Sequence, residues 1–237
     1  MPKVENAIIM AAGLGTRMRP LTNEIPKPLV KVNGQRMIET IIQGLKNNGI
    51  EDISIVTGYL AEKFEFLVDK YQGVKLINNS YYQKYNNLSS LYVARHELKN
   101  TIILDGDQLI NDIDVLNPTF KKSGYAGAWT DEWQDEWIMH ADEQGNILSC
   151  DRDGGKNGWR LYSVSKWVEE DSNRLAKLVE KEFNAKNYDI YWDDVAMFKY
   201  FDQFNLTVHK VSPNDIVEID SLDELKEIDP SYQSYGQ

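Results

Sequence analysis

The chain has 237 residues, enough for an α/β fold built around one large core. Its 26 Lys and Arg against 37 Asp and Glu leave a net charge of −11, so the surface repels nucleic acid and anionic lipid, and a phosphorylated ligand must meet local positive charge or a metal. Cys150 is the single cysteine, the three histidines lack zinc-ligand spacing, and no apolar run approaches the ~20 residues of a membrane helix; the expectation is a soluble cytoplasmic protein, monomer or homodimer, without nucleic-acid or membrane partners.

The first predicted element is the apolar run "NAIIMAA", a strand covered on both faces and ended by glycine. A helix follows over "MIETIIQGLKNNG", with Ile38, Ile41, Ile42 and Leu45 at helical spacing and Gly49 placed to end it. "EDISIVTGY" predicts a second strand, "LAEKFEFLVDKYQ" a helix and "VKLINN" a third strand. "NNLSSLYVARHEL" predicts a helix with Asn87 at its N-cap, and "NTIILDGDQLI" a fourth strand that runs into acid. This alternation implies a mostly parallel sheet with helices on both faces.

From about Tyr125 the pattern changes to "YAGAWTD", "EWIMHADEQGNILSC" and "GWRLYSVSKWV", read as strands with turns at Gly145-Asn146 and "DGGKNG", hence a small antiparallel extension at about 125–170. "DSNRLAKLVEKEF" and "YWDDVAMFKYF" look helical, "VEID" closes a strand, and Ser221 starts a last short helix over "SLDELKEI". No linker or repeat divides the chain, which reads as a single domain over 1–237.

The chemistry concentrates first in "AAGLGTRMRPLTNEIPKPLV". A strand ending in a glycine loop aims backbone N–H groups past the sheet edge, where they meet phosphate oxygens. Met18 stands where a dinucleotide fingerprint needs its third glycine, and no Gly-Lys-Ser/Thr follows, so neither a nicotinamide site nor a Walker loop fits. Arg17 and Arg19 add fixed positive charge, and Lys27 between Pro26 and Pro28 has little backbone freedom, as a preorganised phosphate contact requires. "ILDGDQL" sets Asp105 and Asp107 at a strand end, sharing one side only if the strand stays extended through Gly106. Asp220 in "VEIDS" ends another strand and reads either as a site acid or as a helix cap.

"AAGLGTRMRPLT" with "PKPLV" resembles the signature of nucleotidyltransferases, which join a nucleoside triphosphate to a phosphorylated small molecule and release pyrophosphate. The resemblance implies a Rossmann-like nucleotidyltransferase fold in which Ala11, Ala12, Gly13, Leu14, Gly15, Thr16 and Arg17 hold the nucleotide. Lys27, with Arg17, then acts on the reacting phosphates, and Asp107 and Asp220 bind Mg²⁺. No protein nucleophile is required, because the acceptor's own phosphate can attack in line.

"WTDEWQDEW" and "IYWDD" combine rings with carboxylates, the chemistry that holds an ammonium by cation–π attraction and charge. Trp129 and Trp133 read equally well as core rings. "EW", "YWD" and "EID" together are similar to bacterial CTP:phosphocholine cytidylyltransferases, which implies a choline pocket of Trp137, Tyr191, Trp192, Asp193 and Glu218. "YNNLSSL" resembles that family's segment beside the nucleotide, implicating Asn87 and Ser90. The implied reaction is CTP plus phosphocholine to CDP-choline plus pyrophosphate. Asp194 stands where asparagine is expected after "YWD", an added negative charge that favours a smaller, better hydrated ammonium. The competing readings are a cytidylyltransferase for 2-aminoethylphosphonate or phosphoethanolamine, a sugar-1-phosphate nucleotidyltransferase, and a catalytically inactive nucleotide-sensing domain.

Overall fold

The computed structural model describes residues 1–235, so the last two residues of the expected single domain lie outside the described residues. Strand β1 (Asn6–Ala11) leads into a long loop, then a ribbon of β2 (Lys31–Val32) and β3 (Gln35–Arg36) and helix α1 (Met37–Asn47). β4 (Asp52–Thr57), α2 (Phe66–Lys70), β5 (Val74–Asn78), α3 (Leu88–Ala94), β6 (Thr101–Asp105) and β7 (Gln108–Ile110) complete the first half. The second half holds β8 (Gly124–Thr130), β9 (Ile138–Ala141), β10 (Ile147–Asp151), β11 (Gly158–Trp167), α4 (Glu169–Asn184), β12 (Thr207–Lys210), β13 (Ile216–Glu218) and α5 (Leu222–Ile228).

One nine-stranded sheet runs in the order β10-β9-β11-β6-β1-β4-β5, with β8 pairing β11 and β12. β1 lies parallel to β4 and β6, and β4 to β5, whereas β11 pairs antiparallel with β6, β8 and β9. The expected parallel sheet with an antiparallel extension is therefore the observed architecture. Because side chains alternate along a strand, β1 feeds both faces. Ala7, Ile9 and Ala11 pack with Ile38, Ile41 and Leu45 of α1, while Ile8 and Met10 pack with Leu91 of α3 and Leu175 and Val179 of α4.

Four expectations are corrected. The fourth strand does not run through Gly106: β6 stops at Asp105, Gly106 N–H donates to Met10 O at 2.8 Å, and β7 restarts in a separate ribbon with β13. An added Cβ on Gly106 would lie 3.2 Å from atoms of Ile9, Met10 and Pro28, so the turn is seated directly on β1. "LAEKFEFLVDKYQ" splits into a 3₁₀ turn at Ala61–Phe64 and a short α2, and "YWDDVAMFKYF" forms only a π turn at Val195–Lys199. Asn87 precedes α3 but does not cap it, because its side-chain oxygen accepts from Trp192 N at 2.9 Å instead.

A third, smaller cluster of Met18, Val30, Val32, Met37, Ile219 and Leu225 joins the loop after β1 to the segment between β13 and α5. It brings the glycine loop and Asp220 together across nearly the whole chain. At the other edge, β12 approaches β8 so closely that a Cβ on Gly124 would lie 1.8 Å from Thr207 O. Gly124→Ala should therefore lower stability by at least ~2 kcal/mol, as overpacking of a rigid contact does. The check is the midpoint of denaturant unfolding; an unchanged midpoint would mean that β12 shifts without penalty.

Candidate active site

A cleft of about 450 Å³ opens at the ends of β1 and β6, where open α/β sheets bind ligands. Its lining includes Ala11, Gly13, Gly15, Thr16, Arg17 and Lys27 from the first loop, Trp137, Tyr191, Asp193 and Glu218 from the second half of the chain, and Asn87, Asp107 and Asp220. Gly15 adopts φ 60° with its α-carbon turned toward Lys27 and Thr22; a Cβ there would lie 3.1 Å from both side chains. A residue other than glycine would be strained in this backbone and would press on Lys27.

Lys27 is the centre of a set of ion pairs. Its side chain is 8 % exposed, and its Nζ lies 2.7 Å from Asp107 Oδ2 and 2.6 Å from Asp220 Oδ1. Arg17 reaches the same Asp220 oxygen at 3.0 Å. Burial alone would drive Lys27 toward its neutral form, but the two carboxylates outweigh it and hold the ammonium above its ordinary pKa. Asp220 in turn is held below the usual carboxylate range, because Lys27 and Arg17 overcome its own desolvation.

Ser221, not Asp220, caps α5. Its hydroxyl accepts from Glu224 N, and the Glu224 carboxylate accepts from Ser221 N and from Asp220 N at 2.8 and 2.7 Å. The Asp220 backbone is thus fixed while its side chain stays free for the cleft. The point that Asp107 and Asp220 share is the Lys27 ammonium; as hard oxygen donors the two carboxylates are also of the type that Mg²⁺ takes one or two of, completing its shell with phosphate oxygens and water.

Further acids line the cleft. Burial pushes the Asp193 carboxyl up to about 7, against the opposing pull of the Tyr125 hydroxyl beside it, and its Oδ1 is fully buried. Glu218 is likewise raised to about 7 by burial, although it accepts from Arg160 at 2.7 Å and Gln108 at 2.9 Å. Desolvation, with the charges of Asp107 and Asp193, drives Asp105 well above the carboxylate range. Acids are crowded here beyond the cations available to them.

Four of the expected residues do not line the cleft. Ala12 and Leu14 face away from it, and Ser90 is buried with its hydroxyl accepting from Asn79 Nδ2 at 3.1 Å. Trp192, expected in the ammonium pocket, is 2 % exposed and packs in the core on Tyr125 and Trp167, at centroid distances of 6.1 and 6.0 Å. The turn that directs Tyr191 and Asp193 to the cleft directs the intervening ring inward. Trp129 and Trp133, readable as core rings, are instead 52 % and 62 % exposed.

Gln108 and Ser163 line the cleft without having been singled out in the sequence, and Glu136, the acid of the "EW" step, lines it as well. Arg152 was also missed. Its guanidinium contacts Asp194 at 2.6 and 3.0 Å and lies 5.4, 5.9 and 5.6 Å from the ring centroids of Trp137, Tyr191 and Phe198. Only its distance in sequence from those rings concealed it.

The family model for nucleotidyl transferases matches residues 6–128. A 2-aminoethylphosphonate cytidylyltransferase of Lancefieldella rimae is 38 % identical over 96 % of this chain and 93 % of its own length. A choline-phosphate cytidylyltransferase of Streptococcus pneumoniae is 34 % identical over 94 % of this chain and 96 % of its own. The solved structure of the CTP:phosphocholine cytidylyltransferase from Streptococcus pneumoniae superposes with a TM-score of 0.89 at 34 % identity, covering 97 % of this chain and 99 % of that one. With the glycine loop, Lys27 and the paired acids converging on one cleft of this fold, the chain belongs to the nucleotidyltransferase family.

Proposed function

We propose that the chain is a cytidylyltransferase that joins the cytidylyl group of CTP to a phosphate or phosphonate oxygen of a small amine and releases pyrophosphate. The observation that carries this reading is that one cleft is lined by both kinds of group: the glycine loop, Arg17 and Lys27, suited to a triphosphate, and Glu136, Asp193 and Glu218, suited to an ammonium. Relatives named for 2-aminoethylphosphonate and for choline phosphate fit this lining equally, since both acceptors carry an ammonium a few bonds from a phosphorus oxyanion. The rings at Trp137 and Tyr191 are what the sequence offers for phosphocholine.

In this reading an acceptor oxygen attacks the α-phosphorus in line, the bond between that phosphorus and the bridging oxygen breaks, and its electron pair leaves with pyrophosphate. Lys27, kept protonated by Asp107 and Asp220, presents fixed charge to the phosphate oxygens. Asp107 and Asp220 are also the residues that would hold Mg²⁺, a hard cation that neutralises phosphate charge when bound. The depth of the cleft orients the acceptor, and Asp193 and Glu136 set its ammonium end.

Pyrophosphate release from each of the four common triphosphates, with a panel of phosphorylated amines and sugars, tests the reaction. CTP with an amine should be the productive pair; a sugar 1-phosphate as the best acceptor would overturn the reading. Asp107→Asn and Asp220→Asn should each lower kcat at least ~100-fold with folding preserved by circular dichroism, since each loosens the hold on charge at the reacting phosphates. Near-normal turnover at saturating Mg²⁺ in either variant would remove that acid from the site.

The raised Asp193 predicts a pH dependence. Below about 7 its carboxyl takes up a proton and loses the charge that faces an ammonium, so kcat/KM for the acceptor should fall toward acid. Asp193→Asn should make that acid limb less steep by one proton. An unaltered limb in the variant would assign the ionisation to another group.

A further inference from the structure

The rings at the acceptor end already flank a cation. Trp137, Tyr191 and Phe198 have their centroids 5.4, 5.9 and 5.6 Å from the guanidinium of Arg152, whose side chain is 42 % exposed, within the ~6 Å over which a cation is drawn to a ring face. The box is self-supporting, because Trp137 meets Tyr191 and Phe198 edge-on at 6.1 and 5.1 Å. Asp194 anchors the guanidinium by its two contacts while its Oδ2 also accepts from Tyr191 N at 2.7 Å, tying the anchor to one of the rings.

This arrangement resists displacement. The Asp194 side chain is 2 % exposed, so removing Arg152 would strand a buried carboxylate. A trimethylammonium has no N–H to offer Asp194 in exchange. A primary ammonium needs no ring face: its three N–H groups can donate to carboxylates, and Asp193 and Glu136 both line the cleft.

We propose that Arg152, held by Asp194, fills the aromatic box and so makes the cleft select an acceptor bearing a primary ammonium over one bearing a quaternary ammonium. The proposal rests on the cytidylyl-transfer reading and assigns Arg152 a positioning role, since it shapes the pocket without lining the cleft itself.

The test compares wild type with Arg152→Ala/Asp194→Asn, in which both charges of the pair are removed together. With CTP and Mg²⁺, kcat/KM is measured for 2-aminoethylphosphonate, phosphoethanolamine and phosphocholine, with KM for CTP as the control for an intact nucleotide end. Wild type should favour one or both primary amines over phosphocholine by at least ~10-fold, and the double variant should move that ratio toward phosphocholine by a similar factor. In parallel, quenching of tryptophan fluorescence by tetramethylammonium chloride should saturate in the double variant and not in wild type. A wild type that prefers phosphocholine, or a variant with an unmoved ratio, overturns the proposal, and the wild-type ratio decides even if the variant does not fold. If wild type turns over none of the three acceptors, the cytidylyl-transfer reading fails, and the tetramethylammonium titration alone decides whether Arg152 closes the box.

Discussion

A buried ammonium must have counter-charges, and Lys27 takes them from the far end of β6 and from the segment before α5. That requirement organises the protein. Asp107 reaches Lys27 only because β6 stops at Asp105 and Gly106 folds down on β1. Asp220 reaches it only because Ser221 and Glu224 take over the capping of α5. The small cluster of Met18, Val30, Ile219 and Leu225 holds the loop and the C-terminal segment in register so that the ion pairs close. Truncating either acid would leave Lys27 with half its compensation in a buried place, so the same residues serve stability and chemistry.

The two sets of groups that line the cleft solve opposite electrostatic problems. At the glycine loop, cations are gathered in a chain whose net charge is −11, and local pairing keeps them charged until a polyanion arrives. In the other set, acids are desolvated beyond what neighbouring cations can balance, which raises Asp193 and Glu218. Arg160 answers Glu218 and Arg152 answers Asp194, while the Asp193 carboxyl sits buried beside the Tyr125 hydroxyl without a cation. An incoming ammonium would lower the free energy of that crowded set as well as gain its own hydrogen bonds. Binding and charge balance thus favour the same ligand chemistry.

The sequence by itself determined the alternation of strands and helices, the glycine loop and Lys27; it marked Asp107 and Asp220 as acids at strand ends, with Asp220 still readable as a helix cap. These are legible because each is carried by a local pattern: a continuous apolar strand, a glycine turn, a lysine between prolines, an acid at a strand end. Tertiary structure alone decided which rings face the cleft. Trp137 and Trp192 each sit beside acids in the sequence, yet one lines the cleft and the other stacks on Tyr125 in the core, because a turn's local geometry sends adjacent side chains in different directions. Ser90 was drawn inward in the same way, to Asn79. Arg152 had no legible role, since its rings and its carboxylate come from Trp137, just before β9, and from the segment that carries Tyr191, Asp194 and Phe198, with Asp194 42 residues further along the chain. Long-range ion pairs and ring contacts depend on how strands are stacked and where turns point, and no periodicity along the chain encodes that.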